Sequence, residues 1–96
     1  MNYKLERLQK GETFETHEKG NSMTPLICSG QTHVLAPITI EQVKVGDIVY
    51  CKVRGNFYTH LVKSINRQRG VLIGNNHGRI NGWTHNVYGK VIKIGE

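Results

Sequence analysis

The stretch IVYCKVRGNFYTHLV, Ile48 to Val62, decides the fold class. Residues 48–53 and 57–62 are rich in β-branched and aromatic side chains, which suit a pleated, half-buried surface. Between them, Arg54-Gly55-Asn56 is a short connection of the kind that closes a hairpin. Two adjacent antiparallel strands are therefore expected at the centre of the chain.

The same reading extends outward in both directions. Lys44-Val45-Gly46-Asp47 is a turn, and residues 38–42 are a connector. Thr32-His33-Val34-Leu35-Ala36 reads as a strand ended by Pro37. Pro25-Leu26-Ile27-Cys28 is a short apolar patch stopped by Ser29-Gly30, and Thr13 to Glu18 alternates weakly as a strand ending before Gly20. Downstream, Val71-Leu72-Ile73-Gly74 is a strand and Asn75 to Gly82 an Asn- and Gly-rich loop. Val87 to Ile94 is the last strand, with Gly89 a bulge or kink site. Residues 1–13 form a polar lead or edge strand, and residues 14–96 a single β domain. The expected architecture is all-β: five to seven strands in a coiled antiparallel sheet or partly closed barrel.

Composition agrees with this. The chain has 96 residues, enough for one modest core, with 38% hydrophobic residues and 11 glycines. No long window repeats apolar residues at helical spacing. The formal net charge is +6, from 13 Lys and Arg against 7 Asp and Glu, so polyanions are attracted weakly and non-specifically. The basic residues are scattered, and no recognition helix is apparent. Cys28 and Cys51 have no close partner and lie in apolar runs, so both are expected to be small buried hydrophobes. The first residues carry no apolar signal region, and no run is long enough to span a bilayer. The expectation is a cytoplasmic chain without membrane attachment, metal or cofactor.

Chemistry centres on Gly20-Asn21-Ser22-Met23-Thr24-Pro25. A serine on a bent segment becomes a nucleophile only when a base takes its proton. Among five histidines, His60 alone lies inside the central hairpin, on the strand face of Tyr58 and Val62. Its imidazole suits proton transfer near neutral pH, whereas a packed sheet histidine bonded to a carbonyl is the plainer alternative. His17, His33, His77 and His85 read as surface residues, and none forms a metal-binding pair. Asn75 and Asn76 are candidates to orient an imidazole, as an amide does in Cys-His-Asn sites, or are simply loop residues.

In order, GNSMTP (20–25), VKVGDIVYCK (43–52), YTHLVKSI (58–65), VLIGNN (71–76) and VYGKVIKI (87–94) resemble the LexA/signal-peptidase superfamily of serine peptidases. The resemblance covers about residues 14 to 94. It implies Ser22 as the catalytic serine and His60 as the general base, in the manner of the histidine-type members. It also implies an oxyanion hole from backbone N–H groups at Ser22 and Met23, and an extended peptide or protein substrate. The family's Gly-Asp-Asn after the strand is Gly74-Asn75-Asn76 here, so the third group is an amide or missing. A core with no preceding DNA-binding domain or anchor suggests a phage protein or mobile-element context in a bacterial or phage-infected host cell. The only alanine, Ala36, precedes a proline, so self-cleavage at an Ala-Gly bond is not available.

Three readings follow. The first is a soluble minimal serine peptidase with a Ser22–His60 dyad. The second is a catalytically weak or inactive binding module of the same fold that holds a protein or nucleic acid. A third assigns the base to Lys63 or Lys52, which would require an ammonium depressed by burial.

Overall fold

The structure, a computed structural model, describes residues 2–95. It contains a short helix, α1 (Tyr3–Gln9), and seven strands: β1 (Phe14–His17), β2 (Thr32–Pro37), β3 (Ile48–Val53), β4 (Asn56–Asn66), β5 (Gly70–Gly74), β6 (Ile80–Thr84) and β7 (Val87–Ile94). All pair antiparallel in one sheet of order β1-β2-β7-β3-β4-β5-β6. The chain is thus mostly β, as expected.

The central hairpin forms for the reason its sequence suggests. Val53 pairs with Asn56, so only Arg54 and Gly55 make the turn, at φ 51° and 84°. Two positive φ values give the turn whose twist matches that of the flanking strands. β4 runs further than the expected 57–62, because Lys63 is accommodated as a bulge between the pairs Val62–Ile73 and Ser64–Leu72. A bulge bends and twists its strand. The sheet consequently coils: β6 curls toward β3, where the Thr84 hydroxyl donates to the Lys52 carbonyl at 2.6 Å. No ladder joins β6 to β1, so the sheet stays open.

Coiling creates two apolar cores, one on each face. The inner face buries Val49, Cys51, Val53, Val62, Val71, Ile73 and Val87. The outer face buries Leu8, Phe14, Leu35 and Tyr50 beneath α1. Strand β3 is covered on both faces, which is why its sequence is nearly continuous in apolar residues rather than strictly alternating.

Two expectations are corrected. Residues 3–9 of the polar lead form a helix, not an edge strand. Asn2 caps the helix, accepting from the Leu5 N–H at 3.0 Å, and its side-chain amide donates to the Tyr50 hydroxyl at 2.8 Å. Leu5 and Leu8, three residues apart, then face the sheet. Leu8 is 3% exposed, and burying such a side chain contributes roughly 1.5–3 kcal/mol. It lies against Gly89, where an added Cβ would come within 2.8 Å of Leu8 Cδ1. Gly89 thus makes room for the helix, while the β3–β7 register shift leaves Tyr88 as the extra residue. The second correction is β6, which occupies part of the segment expected to be loop.

The cysteines divide. Cys51 is buried with its thiol against the Tyr58 carbonyl, and burial pushes its pKa up to about 12. Cys28 is exposed, contrary to expectation, because the 25–28 patch turns only Ile27 inward.

Candidate active site

Ser22 lies in a turn-rich segment between β1 and β2. Met23 and Ile27 anchor that segment with buried side chains, and the Thr24–Pro25 peptide is cis. The loop between β5 and β6 grips it from the other side. The Asn76 N–H donates to the Ser22 carbonyl and the Asn76 side-chain amide to the Thr24 carbonyl, both at 2.9 Å. His77 Nε2 lies 2.9 Å from both the Asn21 carbonyl and Thr24 Oγ1. Ser22 is therefore exposed yet held.

His60 reaches Ser22 from β4. Its Nε2 is 3.1 Å from Ser22 Oγ although the two residues are 38 apart in the chain. The imidazole is 8% exposed and stacks on Tyr58 at a centroid distance of 4.9 Å. On the far side of the ring, Nδ1 is 2.7 Å from Asn81 Oδ1. A carbonyl oxygen can only accept, so Nδ1 carries the proton and donates to Asn81. Nε2 is then left with a lone pair facing the Ser22 hydroxyl. This tautomer is the one a general base requires.

The residue that meets His60 Nδ1 is thus Asn81, which the sequence reading missed, and neither Asn75 nor Asn76. Asn75 Oδ1 accepts from the backbone of His77 at 2.8 Å and Arg79 at 3.0 Å, closing its own loop. Asn76 holds the serine segment instead. Asn81 reaches His60 because β6 contains a bulge. Ile73 pairs with Gly82 and Gly74 with Ile80, leaving Asn81 as the extra residue. Bulges re-aim side chains in this way. Neither of the alternative lysines lines the cavities at Ser22. Lys52 Nζ lies over the Phe57 ring on the outer face, and Lys63 Cε lies beside Gly74.

Two cavities meet at Ser22. A groove of about 400 Å³ is lined by Ser22, Tyr58, His60, Asn75, Arg79 and Asn81. On the other side of the serine, a recess of about 30 Å³ is walled by Glu18, Met23, Ile27, His33 and Thr59, among others. Glu18 accepts from Thr59 Oγ1 at 2.6 Å and from Lys4 Nζ at 2.5 Å. Burial pushes the Glu18 carboxyl up, but these two hydrogen bonds and the nearby charges outweigh it and hold the pKa below its usual value.

His33 is a further correction. It is 1% exposed rather than on the surface, because β2 turns it toward Glu18, Met23, Ile27 and Thr59. Neither ring nitrogen has a hydrogen-bond partner among the described residues. Burial lowers its pKa, and the charge of Glu18 opposes that only in part. His17, His77 and His85 are exposed, as expected.

Among the described residues, no group of three or more His, Cys, Asp or Glu side chains is placed to hold a metal ion. No helix among them is long and apolar enough to cross a membrane. Compared with protein-family models, curated proteins and solved structures, the chain matches none of them.

Proposed function

We propose that this chain is a minimal serine peptidase of the LexA/signal-peptidase kind, cleaving an extended peptide with a Ser22–His60 dyad. The observation that carries the reading is the hydrogen-bonded series Ser22 Oγ–His60 Nε2 and His60 Nδ1–Asn81 Oδ1, at 3.1 and 2.7 Å. An exposed alcohol, a base within reach and a third group fixing the base form the arrangement that activates a nucleophile. The order of the motifs along the chain supports the same reading.

The chemistry then runs in two halves. Ser22 Oγ bonds to the peptide carbonyl carbon as its proton passes to His60 Nε2. The tetrahedral adduct collapses, the C–N bond breaks, and the imidazolium gives the proton to the leaving amine. Water next attacks the resulting ester while losing a proton to Nε2. The C–O bond breaks, and the proton returns to Ser22. Backbone N–H groups at Ser22 and Met23 are assigned to the oxyanion, where preorganised donors are most effective.

The test is labelling with a fluorophosphonate, which bonds only an activated serine, together with cleavage of extended peptides. Wild type is expected to label and cleave, and both Ser22→Ala and His60→Ala to lose both activities. Cleavage unchanged in Ser22→Ala would remove the mechanism.

A binding module of the same fold is the second reading, favoured by the neutral Asn81 where a carboxylate would stabilise an imidazolium better. It predicts no labelling, with tight and steeply salt-dependent binding to DNA or RNA in its nucleic-acid form.

A further inference from the structure

The groove beside Ser22 holds a single formal charge. Of its lining residues, Tyr58, Asn75 and Asn81 are neutral polar groups, and Arg79 is the cation. Arg79 forms no ion pair among the described residues. The charges are also unevenly distributed along the chain. From Ile48 to Gly95 the chain has eight lysines and arginines and no aspartate or glutamate, whereas six carboxylates lie at or before Asp47. The strands β3 to β7 and the loops between them thus supply no carboxylate to pair with the guanidinium.

The position of Arg79 is set by its backbone. Its N–H donates to Asn75 Oδ1 at 3.0 Å, and its carbonyl accepts from the Asn75 N–H at 2.9 Å. Gly74 permits this close turn, since a Cβ there would lie 2.7 Å from the Arg79 carbonyl oxygen. A long cationic side chain is therefore rooted at a fixed point on the rim of the groove that contains the nucleophile and the base. A guanidinium presents paired donors that match the two oxygens of a carboxylate.

We infer that Arg79 determines specificity in this groove, and that the preferred peptide carries an aspartate or glutamate within about two residues of the bond that Ser22 attacks. The inference rests on the peptidase reading and adds to it a substrate class, an acidic peptide. Arg79 fixes the register of such a peptide in the groove.

The test uses a proteome-derived peptide library, with cut sites read by mass spectrometry. Matched pairs of synthetic peptides follow, differing only by Glu against Gln at the selected position. Wild type, Arg79→Gln and Arg79→Glu are compared, and the ratio of kcat/KM for the Glu and Gln peptides is read rather than the absolute rate. In wild type the ratio is expected to be on the order of ten, the size of one charge-assisted hydrogen bond. It is expected to fall to about one in Arg79→Gln, and to invert in Arg79→Glu with a new preference for Lys or Arg at that position. A wild-type library without acidic enrichment, or an acidic preference that survives both substitutions, overturns the inference while leaving the peptidase reading intact. Absence of Ser22-dependent fluorophosphonate labelling and of cleavage in wild type overturns the parent reading and the inference together.

Discussion

His60 Nδ1 and Asn81 Oδ1 stand 2.7 Å apart, joined across three strands by a bulge in β6. The amide selects the ring tautomer but brings no negative charge to balance an imidazolium. Asn81→Ala is expected to slow fluorophosphonate labelling of Ser22 by about ten- to a hundredfold, the usual cost of losing a group that orients a reacting residue. Asn81→Asp is expected to raise the rate above wild type. Measured second-order labelling constants decide the matter, and a rate indifferent to both changes would show that the amide does not orient the ring.

Leu8 and Gly89 form a lock between α1 and β7. Leu8→Ala is expected to destabilise the fold by about 2–5 kcal/mol, as a cavity at a buried leucine does. Gly89→Ala is expected to cost about 1–3 kcal/mol through overpacking against Leu8. Because the clash is with Leu8 itself, the two costs should not add. Urea unfolding of both single variants and the double variant is expected to give a coupling of about 1 kcal/mol.

Stability should fall in acid in two separate windows. His33 has a lowered folded pKa, so the unfolded chain binds its proton more readily. Its contribution is complete above the ordinary value of 6.5 and is lost as pH falls below it toward the folded value. Glu18, also lowered, contributes above its ordinary value of 4.5 and loses that contribution below it. The urea midpoint followed from about pH 8 to about pH 2, which spans both titrations, is expected to decline from near neutrality downward. In His33→Phe the upper part of that decline is expected to flatten. An unchanged profile would remove His33 as the cause.

The thiols differ in accessibility. A disulfide reagent at neutral pH is expected to modify Cys28 rapidly and to spare Cys51, whose thiol is buried and pushed up to about 12. One thiol per folded chain and two per unfolded chain are the expected counts. Rapid reaction at Cys51 would mean that β3 opens readily.

Much of the sheet is legible in local runs. The strand bounds 48–53 and 87–94 match β3 and β7, because paired strands with inward aliphatic residues announce themselves residue by residue. Ser22 and His60 stand out for a different reason, the order of the GNSMTP and YTHLVKSI segments along the chain, since His33 also falls within an expected strand. The failures share one cause. Helix α1 has only seven residues, too few for its Leu5–Leu8 spacing to register as a period. Its stability comes from the gap at Gly89, 81 positions beyond Leu8 in the chain. Asn81 is hidden by the bulge that shifts β6 out of strict alternation, and His33 because nothing nearby in sequence shows that Met23, Ile27 and Thr59 will close over it.

Residue types and their local order determine that this chain forms antiparallel strands and where most of them turn. Strand coiling, bulge position and the docking of distant segments settle which groups meet. They bring Asn76 to the serine segment, Asn81 to His60 and Arg79 to the groove. The division follows from the range of the forces. Backbone propensity and side-chain alternation act over a few residues, whereas hydrogen-bond partners across a folded sheet depend on the register of every strand between them.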